Sequence, residues 1–295
     1  MSAVSAMMQS IADDVVGVMG DLMPAVQGPR GRVVDAMRYG SLGGGKRLRP
    51  FLLVSSADLF GAPRDRSLRA AAALEMIHSY SLIHDDLPAM DDADLRRGRP
   101  SAHKEFDEAT AILAGDGLLT FAFEVMADAA THPDADVRCA LIAALAVASG
   151  PAGMVGGQMI DLSTDRTGLD IDGIKELQDL KTGALIRFAC HGGALLGGAG
   201  AEETAKLITY AEDLGLAFQI VDDLLDAFGS EAELGKPAGQ DAEMDKATFV
   251  KLLGPDEARA EAERLVDRSI GHLTDFGDAA EPLREVARFV LERTS

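Results

Sequence analysis

Apolar residues recur at three- and four-residue spacing along almost the whole chain, which is the mark of helices with one buried stripe each. The strict alternation of a half-buried strand is nearly missing. This pattern predicts helices over 3–20, 31–41, 47–60, 66–87, 107–130, 135–149, 152–163, 171–197, 202–228, 245–253, 256–271 and 280–292. Pro63, Pro100, Pro133, Pro151 and Pro255 fall at the proposed boundaries, where a missing amide hydrogen costs no helical bond. No repeat, linker or shift of composition divides the 295 residues. The expectation is one domain over 1–295, an all-α bundle whose facing helices build a site around a central cavity.

One stretch imitates a membrane span: no charged residue occurs from 140 to 159. Gly150-Pro151 interrupts it, and Ala and Gly outnumber bulky apolar residues, so it reads as a pair of closely packed buried helices. Composition narrows the class further. With 48 Asp+Glu against 28 Lys+Arg, the net charge of −20 argues against nucleic acid or an anionic membrane surface as partner. Cys139 and Cys190 supply no disulfide framework, and the N-terminus lacks the basic start and apolar core of a signal peptide. A cytoplasmic location is expected.

Two acidic clusters carry the candidate chemistry, Asp85-Asp86-Leu-Pro-Ala-Met-Asp91-Asp92 and Asp222-Asp223-Leu-Leu-Asp226. Carboxylates this close repel one another unless a cation joins them, and their hard oxygens suit Mg²⁺, which commonly binds one or two carboxylates plus a substrate's phosphates. In so acidic a chain the second pattern arises readily by chance and the first much less often; neither alone decides, so the neighbours do. Asp222 and Asp226, four residues apart, share a helix face. Asp85 and Asp91 do not, because six residues of helix rotate by roughly 600°. Pro88 predicts that the helix ends or kinks here and lets Asp91 swing back towards Asp85.

Two basic segments accompany the acidic ones. Gly43-Gly-Gly-Lys46-Arg-Leu-Arg49-Pro50 opens a helix, where glycines let backbone amides approach an anion and the cations add charge. Leu95-Arg96-Arg97-Gly98-Arg99-Pro100 supplies guanidiniums that match phosphate oxygens in pairs. Two acidic and two basic segments imply two anionic groups, one held through metal and one held directly by the protein.

Gly44-Gly-Lys-Arg-Leu-Arg-Pro50, Leu82-Ile-His-Asp-Asp-Leu-Pro-Ala-Met-Asp-Asp92, Leu95-Arg-Arg-Gly98, Lys181-Thr-Gly183, Phe218-Gln219, Asp222-Asp-Leu-Leu-Asp226 and Leu234-Gly-Lys-Pro237 follow one another in this order. From about residue 28 onward the chain thereby resembles the trans-prenyl diphosphate synthases, in particular bacterial short-chain members. The resemblance implies the all-α isoprenoid synthase bundle, usually a homodimer. It also implies Mg²⁺-dependent head-to-tail condensation of isopentenyl diphosphate with dimethylallyl or geranyl diphosphate. Three Mg²⁺ ions would be bound by Asp85, Asp91 and Asp222, with Asp86, Asp92, Asp223 and Asp226 as further or water-mediated ligands. Arg96, Lys181, Thr182, Gln219, Lys236 and Lys246 would hold the allylic diphosphate. Of these, Lys181, Thr182 and Gln219 would also flank the carbocation. Lys46, Arg49, His78 and Arg97 would hold isopentenyl diphosphate.

The resemblance leaves His84 structural, gives Gln158 and Asp161 the task of orienting neighbours, and makes 241–245 an acidic lid. Product length falls to Tyr80, five residues before the first cluster, followed by Ser81. A bulky ring there favours the C15 product, farnesyl diphosphate; small residues would favour C20, and Phe121 or Phe123 is the alternative pocket floor. The rival readings are a geranylgeranyl diphosphate synthase, a class I terpene cyclase, a noncatalytic synthase subunit and an acidic scaffold with accidental motifs.

Overall fold

The computed structural model describes residues 3–163, 169–228 and 248–292. Lys236, Lys246 and the acidic tract 241–245 lie outside the described residues. The elements are α1 (Ala3–Leu22), α2 (Gly31–Leu42), α3 (Leu48–Asp58), α4 (Arg64–Asp85), the hairpin β1 (Leu95–Arg96) and β2 (Arg99–Pro100), α5 (Ala102–Glu105) and α6 (Glu108–Ala127). After them come α7 (Ala135–Ser149), α8 (Met154–Leu162), α9 (Ile171–Gln178), a π turn (Asp179–Gly183), α10 (Ala184–Gly197) and α11 (Ala201–Phe228). The last elements are α12 (Phe249–Leu253), α13 (Pro255–His272), a 3₁₀ segment (Thr274–Ala280) and α14 (Glu281–Glu292). The all-α reading holds, and the residues form two compact units, Met1–Ala143 with Leu195–Gly197 and Ala144–Ala194 with Gly198–Ser295.

In the first unit α4 packs against α1, α2, α3 and α6. Every residue from Ala70 to Ile77 is buried, so α4 has no solvent face along its middle. Four consecutive alanines, Ala70–Ala73, leave room for neighbours on all sides. A helix enclosed all round has a fixed axis and rotation, which fixes where its C-terminal Asp85 lies.

In the second unit α11 packs against α13 and α14. The buried carboxylate of Asp213 receives Arg268 at 2.7 and 2.5 Å and lies 3.1 Å from His272 Nε2. Tyr210 donates its hydroxyl to the Leu283 carbonyl at 2.8 Å. These polar anchors, added to apolar burial, select one rotation of α11 and so aim its aspartates.

Three expectations need correction. The helix expected over 171–197 is interrupted, because Asp179–Gly183 widens to a π turn that periodicity cannot register. A short hairpin exists at 95–100, its strands too brief for alternation to show. The apolar run from 140 to 159 does break, at 150–153, but its helices are not fully buried: Val147, Val155 and Met159 are 61, 47 and 65 % exposed. Among the described residues two segments, Glu108–Ala127 and Ala135–Leu162, are apolar and long enough to cross a membrane by length and composition. The second is divided between α7 and α8, each shorter than the ~20 residues a span needs.

Candidate active site

The first acidic cluster sits where α4 stops. Helix geometry ends at Asp85, and the chain folds back through Pro88. The amide of Asp91 donates to the Asp85 carbonyl at 2.9 Å, that of Asp92 to Leu87 at 3.1 Å and that of Ala93 to Asp86 at 3.2 Å. Asp92 takes the left-handed conformation (φ 47°), which a short polar side chain tolerates. The predicted return of Asp91 towards Asp85 is therefore observed.

Within the cluster the aspartates are not equivalent. Asp86 is 2 % exposed, and its carboxylate is taken by Arg96, whose Nη2 lies 2.6 Å and Nε 3.0 Å from Oδ1. Burial pushes the Asp86 carboxyl up, and the Arg96 hydrogen bonds and charge offset this only in part. Arg96, assigned by resemblance to the allylic diphosphate, is thus tethered by a residue of the first acidic cluster.

The hairpin explains how Arg96 and Arg97 part company. Arg97 and Gly98 have φ of 53° and 73°, the two positive values of a type I′ turn, between the antiparallel pairs Leu95–Pro100 and Arg96–Arg99. Arg96 is a strand residue directed to Asp86, whereas Arg97 at the turn donates Nη1 to the carbonyls of Gly43 and Gly44. Gly45 (φ 112°) lies flat on that guanidinium; a Cβ there would come within 2.7 Å of Cζ. Only glycine permits this approach.

A basic group forms around the start of α3. Arg49 Nη1 stands 3.4 Å from His78 Nε2. A guanidinium only donates, so Nε2 accepts and the imidazole proton resides on Nδ1. Burial pushes the His78 pKa well below the usual imidazole value, and Arg49, Arg97, Arg47 and Arg96 act in the same direction. His78 is therefore neutral at pH 7, an acceptor tuned by cations. Lys46 is exposed beside this group.

Sequence reasoning passed over Arg47. It is 4 % exposed and forms a buried ion pair with Glu75 of α4, itself 1 % exposed. The signal was present: a lone carboxylate within the apolar run Ala71–Ile77 requires a buried partner.

In the second unit the π turn presents Lys181 and Thr182. Lys181 Nζ bonds Asp161 Oδ2 of α8 at 2.6 Å, so Asp161 orients Lys181 as expected. Gly157 of α8 touches the same turn, and a Cβ there would overlap the Lys181 backbone. Across the turn, a Cβ on Gly215 of α11 would meet Gly183 Cα at 3.4 Å. Gln219, Asp222, Asp223 and Asp226 follow at three- and four-residue spacing on unbroken α11, one contiguous stripe. Asp223 and Asp226 are buried, and Asp223 Oδ2 accepts the Phe249 amide at 2.8 Å, anchoring the start of α12.

Among the described residues no three acidic or histidine side chains converge closely enough to enclose a cation alone. Tyr80 is buried, packs its ring edge-on against His84 at 5.7 Å between centroids, and has its hydroxyl pKa pushed up to about 12 by burial and the Asp85 charge. His84 Nε2 donates to the Ile112 carbonyl at 3.0 Å. A Cβ on Gly115 would overlap the His84 imidazole. Ser81 returns its hydroxyl to the His78 carbonyl at 2.9 Å.

The family profile described as polyprenyl synthetase matches residues 31–285. The chain belongs to that family. Among its polyprenyl synthetase relatives, the farnesyl diphosphate synthase of Escherichia coli (strain K12) is 46 % identical over 266 residues, 88 % of this chain and 89 % of that one. The geranylgeranyl diphosphate synthase of Cyanophora paradoxa is 42 % identical over 271 residues, 90 % of each. The apo crystal structure of an FPP/GFPP synthase from Zymomonas mobilis superposes with a TM-score of 0.88 at 46 % identity, over 98 % of both chains. The polyprenyl synthetase fold places the isoprenoid synthase reading of the helices on firm ground.

Proposed function

We propose that this protein is a prenyltransferase that condenses isopentenyl diphosphate with dimethylallyl and geranyl diphosphate to give (2E,6E)-farnesyl diphosphate. The observation that carries the reading is the fold-back of Asp91 onto Asp85 beside the Arg96–Arg97 hairpin, in a chain of the polyprenyl synthetase family. Asp85, Asp91 and Asp222 would hold three Mg²⁺ ions, with Asp86, Asp92, Asp223 and Asp226 as further or water-mediated ligands. When bound, the metal neutralises charge on the departing diphosphate. Asp86 contributes chiefly by tethering Arg96, and Asp223 by anchoring α12.

The chain's own groups supply the rest. Arg96 and Lys181, with Lys236 and Lys246, hold the allylic diphosphate as its C–O bond breaks and the electron pair leaves with it. Lys46, Arg49, His78 and Arg97 hold isopentenyl diphosphate so that its double bond attacks the allylic carbon. Fixed cations stabilise this charge separation without reorganising at the moment of reaction. Thr182 and Gln219 face the cation with hydroxyl and carbonyl dipoles, and the released diphosphate accepts the proton lost.

Tyr80 supports the C15 product. It lies roughly 7.5 Å before Asp85 along α4 and is held by His84 rather than free to swing. The 42 % identity to the Cyanophora paradoxa synthase keeps the geranylgeranyl product as the second reading. We further propose that the whole chain acts as one synthase domain, in a cytoplasmic homodimer. Exposed Ile112 and Leu113 on α6 support burial against a second copy.

Product analysis tests the reading. The purified protein is given Mg²⁺, labelled isopentenyl diphosphate and, separately, C5, C10 and C15 allylic diphosphates. C15 formed from the two shorter starters, with the C15 starter inert, is expected. C20 accumulation would replace farnesyl by geranylgeranyl diphosphate, and no elongation at all would sink the prenyltransferase reading.

A further inference from the structure

We infer that Arg47, locked by Glu75, is the positioning residue of the metal-free diphosphate site, a role that rests on the prenyl-transfer reading above. Arg47 lies between two proposed substrate cations, Lys46 and Arg49, and unlike the exposed Lys46 its side chain is buried. Its backbone is left-handed (φ 49°) at the residue that precedes α3, and that reversal sends the guanidinium inward while Lys46 stays exposed. Inside, Nη1 pairs with Glu75 Oε1, and Nη2 takes the carbonyls of Ser41 at 2.6 Å and Gly43 at 3.3 Å.

From the hairpin side Arg97 takes the carbonyls of Gly43 and Gly44. Two guanidiniums therefore clamp one glycine loop, and Gly43 is gripped by both. The loop would otherwise be the softest part of the site, because glycine restricts the backbone least. The clamp sets the conformation from which Lys46 projects.

A second rung lies alongside. Arg49 meets His78, and Glu75 and His78 are three residues apart on α4, hence on one face. Arg47–Glu75 and Arg49–His78 thus register the start of α3 against the helix that ends in Asp85. A buried ion pair adds little net stability over an apolar pair of the same shape, but it fixes geometry that apolar contacts leave adjustable. The guanidinium is essential to this: a lysine ammonium keeps the charge but cannot bridge a carboxylate and two carbonyls in one plane.

The clamp serves one substrate. The tether of Arg96 to Asp86 and the fold-back of Asp91 have their own bonds and do not pass through Arg47. The test is steady-state kinetics of the wild type, Arg47→Lys and Glu75→Gln, each substrate varied separately at saturating Mg²⁺. Binding of inorganic diphosphate in EDTA, followed by calorimetry, adds a readout that needs no turnover. We expect KM for isopentenyl diphosphate to rise roughly tenfold or more in both variants, with KM for geranyl diphosphate within about twofold of wild type. Metal-free diphosphate binding should weaken in parallel.

A rise of both KM values together, or unchanged KM with only a lower melting temperature, overturns the assignment and leaves Arg47 as ordinary scaffold. If Arg47→Lys does not fold, Glu75→Gln retains the arginine and decides the matter by the same ratio of KM values. Absence of prenyl transfer in the wild type would strike the functional reading. The EDTA binding comparison would then still report on the clamp.

Discussion

Asp91 donates its backbone amide to the Asp85 carbonyl at 2.9 Å, so two carboxylates that a continuous helix would hold on different faces share one end of α4. Asp86, between them in sequence, is instead committed to Arg96. Asparagine at each position should separate the roles. Asp85→Asn and Asp91→Asn are expected to lower kcat by roughly 100- to 1,000-fold with little loss of melting temperature. Asp86→Asn should cost about 1–3 kcal/mol of stability as Arg96 loses its charged partner. Kinetics and thermal melts of the three variants check this, and an unaltered melting temperature for Asp86→Asn would remove its structural role.

Product length should respond at two positions, one of which need not touch substrate. Tyr80→Ala is expected to shift the product from C15 towards C20 by removing the ring. Gly115→Ala adds a methyl where the His84 imidazole lies, and His84 carries the edge of Tyr80. It should lengthen or blur the product distribution and cost about 1–3 kcal/mol from overpacking. Chromatography of the dephosphorylated products reads both; an unchanged distribution for Tyr80→Ala takes Tyr80 out of the pocket floor.

The Lys181–Asp161 pair predicts an asymmetric substrate effect. Lys181→Met should raise KM for the allylic diphosphate more than Asp161→Asn does, with KM for isopentenyl diphosphate unchanged in both. Asp161→Asn leaves the ammonium in place but unoriented, and a rise of roughly three- to tenfold is expected. Tighter allylic binding in Asp161→Asn would instead show that Asp161 competes with diphosphate for the lysine.

His78 gives a pH signature. Its folded pKa lies well below the usual imidazole value of 6.5, so between the two values the unfolded chain binds more protons than the folded one. The stability tied to neutral His78 is fully present above pH 6.5 and is lost as pH falls through the folded pKa. His78→Gln cannot be protonated, so its melting temperature should fall less steeply than wild type between about pH 6.5 and 5. Parallel slopes would place the acid sensitivity elsewhere, with His191, also lowered by burial, the next to examine.

The helices were legible from periodicity and the acidic clusters from their spacing: α11 runs unbroken through its aspartate stripe, and Pro88 announced the end of α4. Features set by single-residue geometry were not. The two-residue strands around Arg97–Gly98 are shorter than any alternation window, although an X-Gly pair with basic flanks hinted at a tight turn. Arg47 was hidden by its neighbours, since three cations within four residues read as one basic patch until burial separates them. The exposure of Val147 and Met159 was missed for the converse reason: apolar character does not say which surface covers it.

The π turn at Asp179–Gly183 accommodates one residue more than a regular helix of the same rise. Insertions of this kind are discrete: deleting a single residue nearby would restore a regular helix with its flanks still in phase, and the side chains of the turn itself would be redirected. Lys181 would then leave Asp161, and Gly157 would face a different side chain. A shorter, more regular and thermally sturdier variant of this segment should accordingly be a poorer catalyst, so length variation here is filtered by chemistry while the surrounding helices would accept it.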